Sequence, residues 1–134
     1  MNITLRAGER FFINGAVIRI DRKASIELLN EVTFLLENHV MQAEAATTLV
    51  RQIYFAVQIM LMDPTAAPSA APLARSLIET ALGAYRAPEL TAGLRSVDAA
   101  LLRGRNFEGL KALRGLFAVE DRELQPLAET PSAA

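Results

Sequence analysis

The chain has 134 residues, no cysteine, one histidine, 51% apolar side chains, and 14 Lys and Arg against 15 Asp and Glu. That length buries one compact core or two small halves, and the missing thiols exclude a disulfide framework or a thiolate metal site. A net charge of −1 argues against a general nucleic-acid coat, so any such site has to be local. The N-terminus lacks the pattern of a signal peptide and no stretch reaches the roughly 20 apolar residues of a membrane span; a cytoplasmic protein without membrane contact is expected.

In chain order, Ile3 to Arg6 reads as a first strand, Gly8 as a turn, and Arg10 to Ile13 as a second strand ending at Asn14-Gly15. Asn-Gly favours a type I′ turn, whose central residues need left-handed backbone that Asn and Gly adopt cheaply. Ala16 to Ile20 is expected to pair back on Arg10 to Ile13. Asp21-Arg22-Lys23 should then turn, with Ser25 to Leu29 and Thr33 to Leu36 as further strands joined by hairpins only.

The period changes near Glu44, where Ala46, Leu49, Val50, Ile53, Ala56, Val57, Met60 and Leu61 recur at helical spacing until Asp63-Pro64. TAAPSAAP reads as a connector. Leu73 to Tyr85 forms the next helix, with Leu77, Ile78, Ala81 and Leu82 inward. Pro88 opens a third helix that Gly104 ends, and Asn106 caps a fourth running through Phe117. The fold class is therefore α+β. A small antiparallel β module of about five short strands (1–42) precedes a bundle of about four helices (43–125) and a polar tail (126–134).

Catalytic chemistry finds little support. His39 has no second His or Cys to share a metal and reads as a surface or junction residue; no metal and no cofactor is expected. Glu120, Asp121 and Glu123 read as a solvated helix face, and the glycines never take phosphate-loop spacing. No enzyme is expected. The basic residues remain: Arg6, Arg10, Arg19, Arg22 and Lys23 in the β module, and Arg103, Arg105, Lys111 and Arg114 around the last helix. Guanidinium groups grip phosphate and stack on unpaired bases, so the first group suits single-stranded RNA; solubilising strand charge is the alternative left open. Phe11, Phe12 and Phe34 fit core packing better than base stacking.

LRAGERFFINGAVIR, VMQAEA, RQIYFAVQIMLMDP, a Pro/Ala-containing linker and RNFEGLKALRGLFAVE follow one another in an order that resembles the FlbT family of flagellin regulators. The resemblance spans nearly the whole chain. It implies a regulator that binds the 5′ leader of flagellin mRNA and lowers its translation or stability, with the small protein FlaF as a possible partner. The family block would carry a second basic residue before Ile-Tyr-Phe, where this chain has Arg51 followed by Gln52. A weaker likeness joins LRAGERFFINGAVIRI to the carbon-storage regulator CsrA, an interlocked dimer that reads RNA from its outer strands. That likeness implies a homodimer and points to Thr4 and Arg6. The RNA contacts expected on these grounds are Thr4, Arg6, Arg10, Arg19, Arg22, Lys23 and Arg51. The competing expectation is a protein-interaction module whose helices bind FlaF or flagellin and affect expression indirectly.

Overall fold

A computed structural model describes residues 2–30, 32 and 34–125, so the tail and Thr33 of the expected fifth strand lie outside the described residues. Five short strands, β1 (Asn2–Leu5), β2 (Arg10–Ile13), β3 (Ala16–Arg19), β4 (Ala24–Glu27) and β5 (Phe34–Leu36), precede the helices. These are α1 (Leu49–Met62), α2 (Ala67–Ala84), α3 (Pro88–Leu102), α4 (Asn106–Arg114) and α5 (Phe117–Glu123). The class is α+β, as the period change near Glu44 implies.

The Asn14-Gly15 turn forms as its chemistry demands, with φ of 50° and 83°. It joins β2 to β3, but the other pairings are not hairpins: β1 pairs with β4, and β5 pairs with the free side of β2. The expectation of hairpin connections only is thus corrected. The physical reason is burial. Folding β1 and β4 back over the three-stranded sheet stacks Ile3 and Leu5 on Phe11 and Phe34 in a small core that a flat meander could not enclose. Because β1 offers four partners, β4 ends at Glu27, and Leu29 stands 86% exposed beyond it.

The helices depart from expectation in four places. The first begins at Leu49 rather than near Glu44, because Thr48 Oγ1 accepts the Arg51 N–H at 3.3 Å as an N-cap. TAAPSAAP is helical. Asp63 accepts from the Thr65 N–H at 3.2 Å to start a 3₁₀ turn, and Pro68 falls in the first turn of α2, where no donor is needed. Pro72 alone interrupts the ladder, against strong alanine propensity and the burial of Ala70 and Ala74. Asn106 is the first residue of α4 and makes no side-chain cap bond. The expected fourth helix is two, since α4 ends against Gly115 and α5 restarts at Phe117. No described helix is long and apolar enough to cross a membrane.

The main core joins α1 to α5 with Leu35 and Phe12 from one face of the sheet. The strand-to-helix crossing is held by side chains of α1. Gln58, 3% exposed, accepts the Met41 N–H at 2.6 Å and donates to the Met41 carbonyl at 2.9 Å, and Tyr54 donates its hydroxyl proton to the His39 carbonyl. His39 is therefore a junction residue, its imidazole pKa lowered by burial and by Arg114. Gly93 lets α3 approach the turn after α4: a Cβ there would sit 2.5 Å from Leu116 Cδ2. Gly93→Ala is expected to cost about 1–3 kcal/mol through overpacking, read as a lower urea midpoint at unchanged m value.

Candidate nucleic-acid interface

The pairing along β1–β4 and β2–β3 keeps one register: Asn2 opposes Glu27, Leu5 opposes Ala24, Arg10 opposes Arg19, and Ile13 opposes Ala16. Residues 2–27 therefore form two antiparallel pairs in one register, joined at a bend by the segments 6–9 and 20–23, where the Glu9 N–H closes a turn on the Arg6 carbonyl at 3.0 Å. The bend is pinned by backbone bonds, Gly8 N–H to the Ile20 carbonyl at 2.6 Å and Ile20 N–H to the Glu9 carbonyl at 3.0 Å. Gly8, at φ 83°, supplies the left-handed residue this corner needs.

The bend gathers five of the expected residues. Arg6 directly follows β1 and Lys23 directly precedes β4 at one end, and Arg10 faces Arg19 at the other, with Arg22 between. Like charges directly across a ladder destabilise it, so the Arg10–Arg19 rung is an arrangement that strand stability alone does not favour. Three carboxylates lie in this region. Glu9 accepts the Arg6 N–H at 2.9 Å and stands 3.9 Å from its guanidinium. Glu37 takes both the backbone N–H and Nε of Arg10, at 3.2 and 2.9 Å. Asp21 occupies the bend itself. Arg19, Arg22 and Lys23 are exposed and make no ion pair among the described residues.

Arg10's hydrogen bonds hold the Glu37 carboxyl below its ordinary range. A depressed carboxyl contributes stability above its unfolded pKa, about 4.3, and loses it as pH falls through the lower folded value. The same carboxylate masks one cation of the cluster. Thr4 lies on the exposed face of β1 opposite Ser25, one alternation from Arg6.

Arg51 belongs to a different site. Its guanidinium forks onto Asp121 at 2.9 and 3.1 Å, reaches Glu120 at 3.4 Å and lies 4.7 Å from the Phe117 ring centroid. A phosphate would have to displace these carboxylates. Glu120, read from sequence as part of a solvated face, is wholly buried, which corrects that expectation. It accepts from the Thr48 hydroxyl, the Val50 N–H and the Tyr85 hydroxyl, tying α5 to the start of α1 and the end of α2. Burial and the Glu120 hydrogen bond push the Tyr85 phenol pKa up, so it stays a donor. The sequence signal for Glu120 is absent, because its partners are distant in the chain and its neighbours are charged.

Arg103, Arg105 and Lys111 of the second basic group lie on the surface, whereas Arg114 is half-buried and donates to the Tyr54 hydroxyl at 3.4 Å. Lys111 sits 5.6 Å from the Phe107 ring centroid, Arg105 pairs with Glu108 at 3.4 Å, and Leu110 and Leu113 point inward. Phe11 and Phe34 are core residues, 3% and 8% exposed, so neither is free to stack on a base. No group of three or more His, Cys, Asp or Glu among the described residues is placed to hold a metal ion.

Comparison with known proteins gives one consistent result. The family model described as "Flagellar protein FlbT" matches residues 1–124. A Rhizobium johnstonii protein named "Probable flagellum biosynthesis repressor protein FlbT" is 51% identical over 124 residues, covering 92% of this chain and 83% of its own. A Bradyrhizobium diazoefficiens relative, "Probable flagellum biosynthesis repressor protein FlbT 2", is 48% identical over 128 residues, covering 96% and 94%. One from Chelativorans sp., carrying the first of these names, is 46% identical over 122 residues, covering 91% and 84%. No solved structure matches.

Proposed function

The chain belongs to the FlbT family of flagellar proteins, and from that premise we propose that it represses flagellin synthesis by binding the 5′ leader of flagellin mRNA at the ribbon bend. The observation that carries this reading is the bend itself, where five cations lie on the two connecting segments and the Arg10–Arg19 rung, and three of them make no ion pair among the described residues. Arg19, Arg22 and Lys23 neutralise phosphates at once. Arg6 and Arg10 join by exchanging Glu9 and Glu37 for RNA, and Thr4 offers a hydroxyl on the same strand as Arg6. Arg51 contributes only if RNA displaces Asp121. Nothing in this scheme calls for catalysis or a cofactor; lower translation or faster decay follows from occupying the leader. The relatives' name, flagellum biosynthesis repressor, supports the direction of the effect.

The test is ultraviolet cross-linking of the protein to the leader RNA followed by peptide mapping. Cross-links within residues 6–10 and 19–23 are expected. Cross-links confined to the helices, or none, would remove this reading and favour a partner such as FlaF or flagellin seated on the helical half. Glu37→Gln gives a second check. It removes the carboxylate that competes for the Arg10 guanidinium, so leader affinity should rise a few-fold at low salt with the salt slope little changed. An unchanged affinity would place Arg10 outside the interface.

A further inference from the structure

The ribbon ends in an edge that pairs with no other strand among the described residues. All four residues of β3 are exposed, including Val17 at 61% and Ile18 at 36%, and β3 is an outer strand of its sheet. The backbone bonds of Ile20 to Gly8 and Glu9 fix the alternation along it. Ile20, Ile18 and Ala16 turn their N–H and C=O groups toward β2, while Val17 and Arg19 turn theirs outward. The edge carries no proline or bulge, and β-branched Val17 and Ile18 suit a paired strand.

We infer that a second copy of this chain docks here, β3 against β3 in antiparallel sense, with Ile18 on the two-fold axis. That register pairs Val17 of each copy with Arg19 of the other and satisfies all four outward donors and acceptors of both strands. A register centred on Arg19 sets two arginines face to face, and one centred on Val17 leaves Arg19 opposite the turn. The chosen register is therefore the one that charge and hydrogen bonding both favour. It also completes the basic surface. Arg10 and Arg19 lie on the same face as Val17, so pairing joins the Arg10–Arg19 rungs of two copies into one strip across the joined sheets. This last step rests on the RNA reading above; the pairing itself does not.

The chain has no cysteine, which makes the register directly testable. Two residues in a non-hydrogen-bonded antiparallel pair have Cα atoms roughly 4.5 Å apart, within disulfide range. Under mild oxidation Ile18→Cys is expected to form a covalent dimer about tenfold faster than Leu29→Cys, an exposed site away from the edge. In sedimentation equilibrium without RNA, wild type is expected to dimerise. Val17→Lys, which opposes Arg19 of the second copy, should weaken the dimer about tenfold or more, whereas Val17→Glu should retain it. A wild-type monomer at tens of micromolar, equal cross-linking at both cysteines, or equal dimerisation of the Lys and Glu variants would overturn the inference. Because no RNA is present, these outcomes are independent of whether the bend binds RNA.

Discussion

Glu120→Ala is expected to remove about 3–5 kcal/mol of folding stability, a large share of what a domain of this size possesses. The substitution leaves the Thr48 and Tyr85 hydroxyls and the Val50 N–H without their acceptor, and strips Arg51 of one of its two carboxylates. Each buried donor left unpaired costs about 1–3 kcal/mol. Three helices are affected together, since this one side chain reaches α1, the end of α2 and, through Arg51, the Asp121 pair that also holds α5 to α1. Urea denaturation followed by circular dichroism reads the loss directly. Glu120→Gln retains an acceptor oxygen but brings an amide against several donors, so an intermediate loss is expected. A change below about 1 kcal/mol for Glu120→Ala would mean that these contacts are not what joins the helices.

Replacing Arg19, Arg22 and Lys23 together by Gln is the largest functional effect expected. Each single-strand phosphate contact contributes about 0.7 to the slope of log affinity against log salt, so the triple variant should lose about 2 from that slope. Leader affinity near physiological salt should fall about a hundredfold, at roughly 1 kcal/mol per contact. The fold should be unaffected, because the three side chains are exposed and make no ion pair among the described residues. A fluorescence-anisotropy titration at several salt concentrations, with denaturation midpoints as a control, checks both statements. The same variant of a protein-docking module would bind its partner through apolar helix surface with little change.

Much of this was legible in the sequence where the determinants are local. Asn14-Gly15, Pro88 and Gly104 each act through their own backbone geometry, and the structure places each where that geometry requires. The apolar repeat through Ile53, Val57 and Met60 marked α1 for the same reason. What stayed hidden depends on distant partners. Arg10 shares a rung with Arg19 only because β2 and β3 are in that register, and Arg6 and Lys23 come to the same end of the β1–β4 pair only because Leu5 opposes Ala24. Arg51 looked available until α5 delivered Asp121 to it, and Glu120 looked solvated until α1, α2 and α5 closed around it. TAAPSAAP misled because Pro68 falls in the first turn of α2, where proline is tolerated, and its alanines favour helix strongly enough to carry Pro72 inside it.

The first measurement to make is a titration of the purified wild-type protein with a flagellin mRNA leader and with a scrambled RNA of equal length, each at about 50 and about 200 mM salt. Saturable binding that favours the leader and weakens about a hundredfold between the two salts is expected from five phosphate contacts at the ribbon bend. Equal affinity for the scrambled RNA, or leader binding that ignores salt, would contradict a direct RNA regulator.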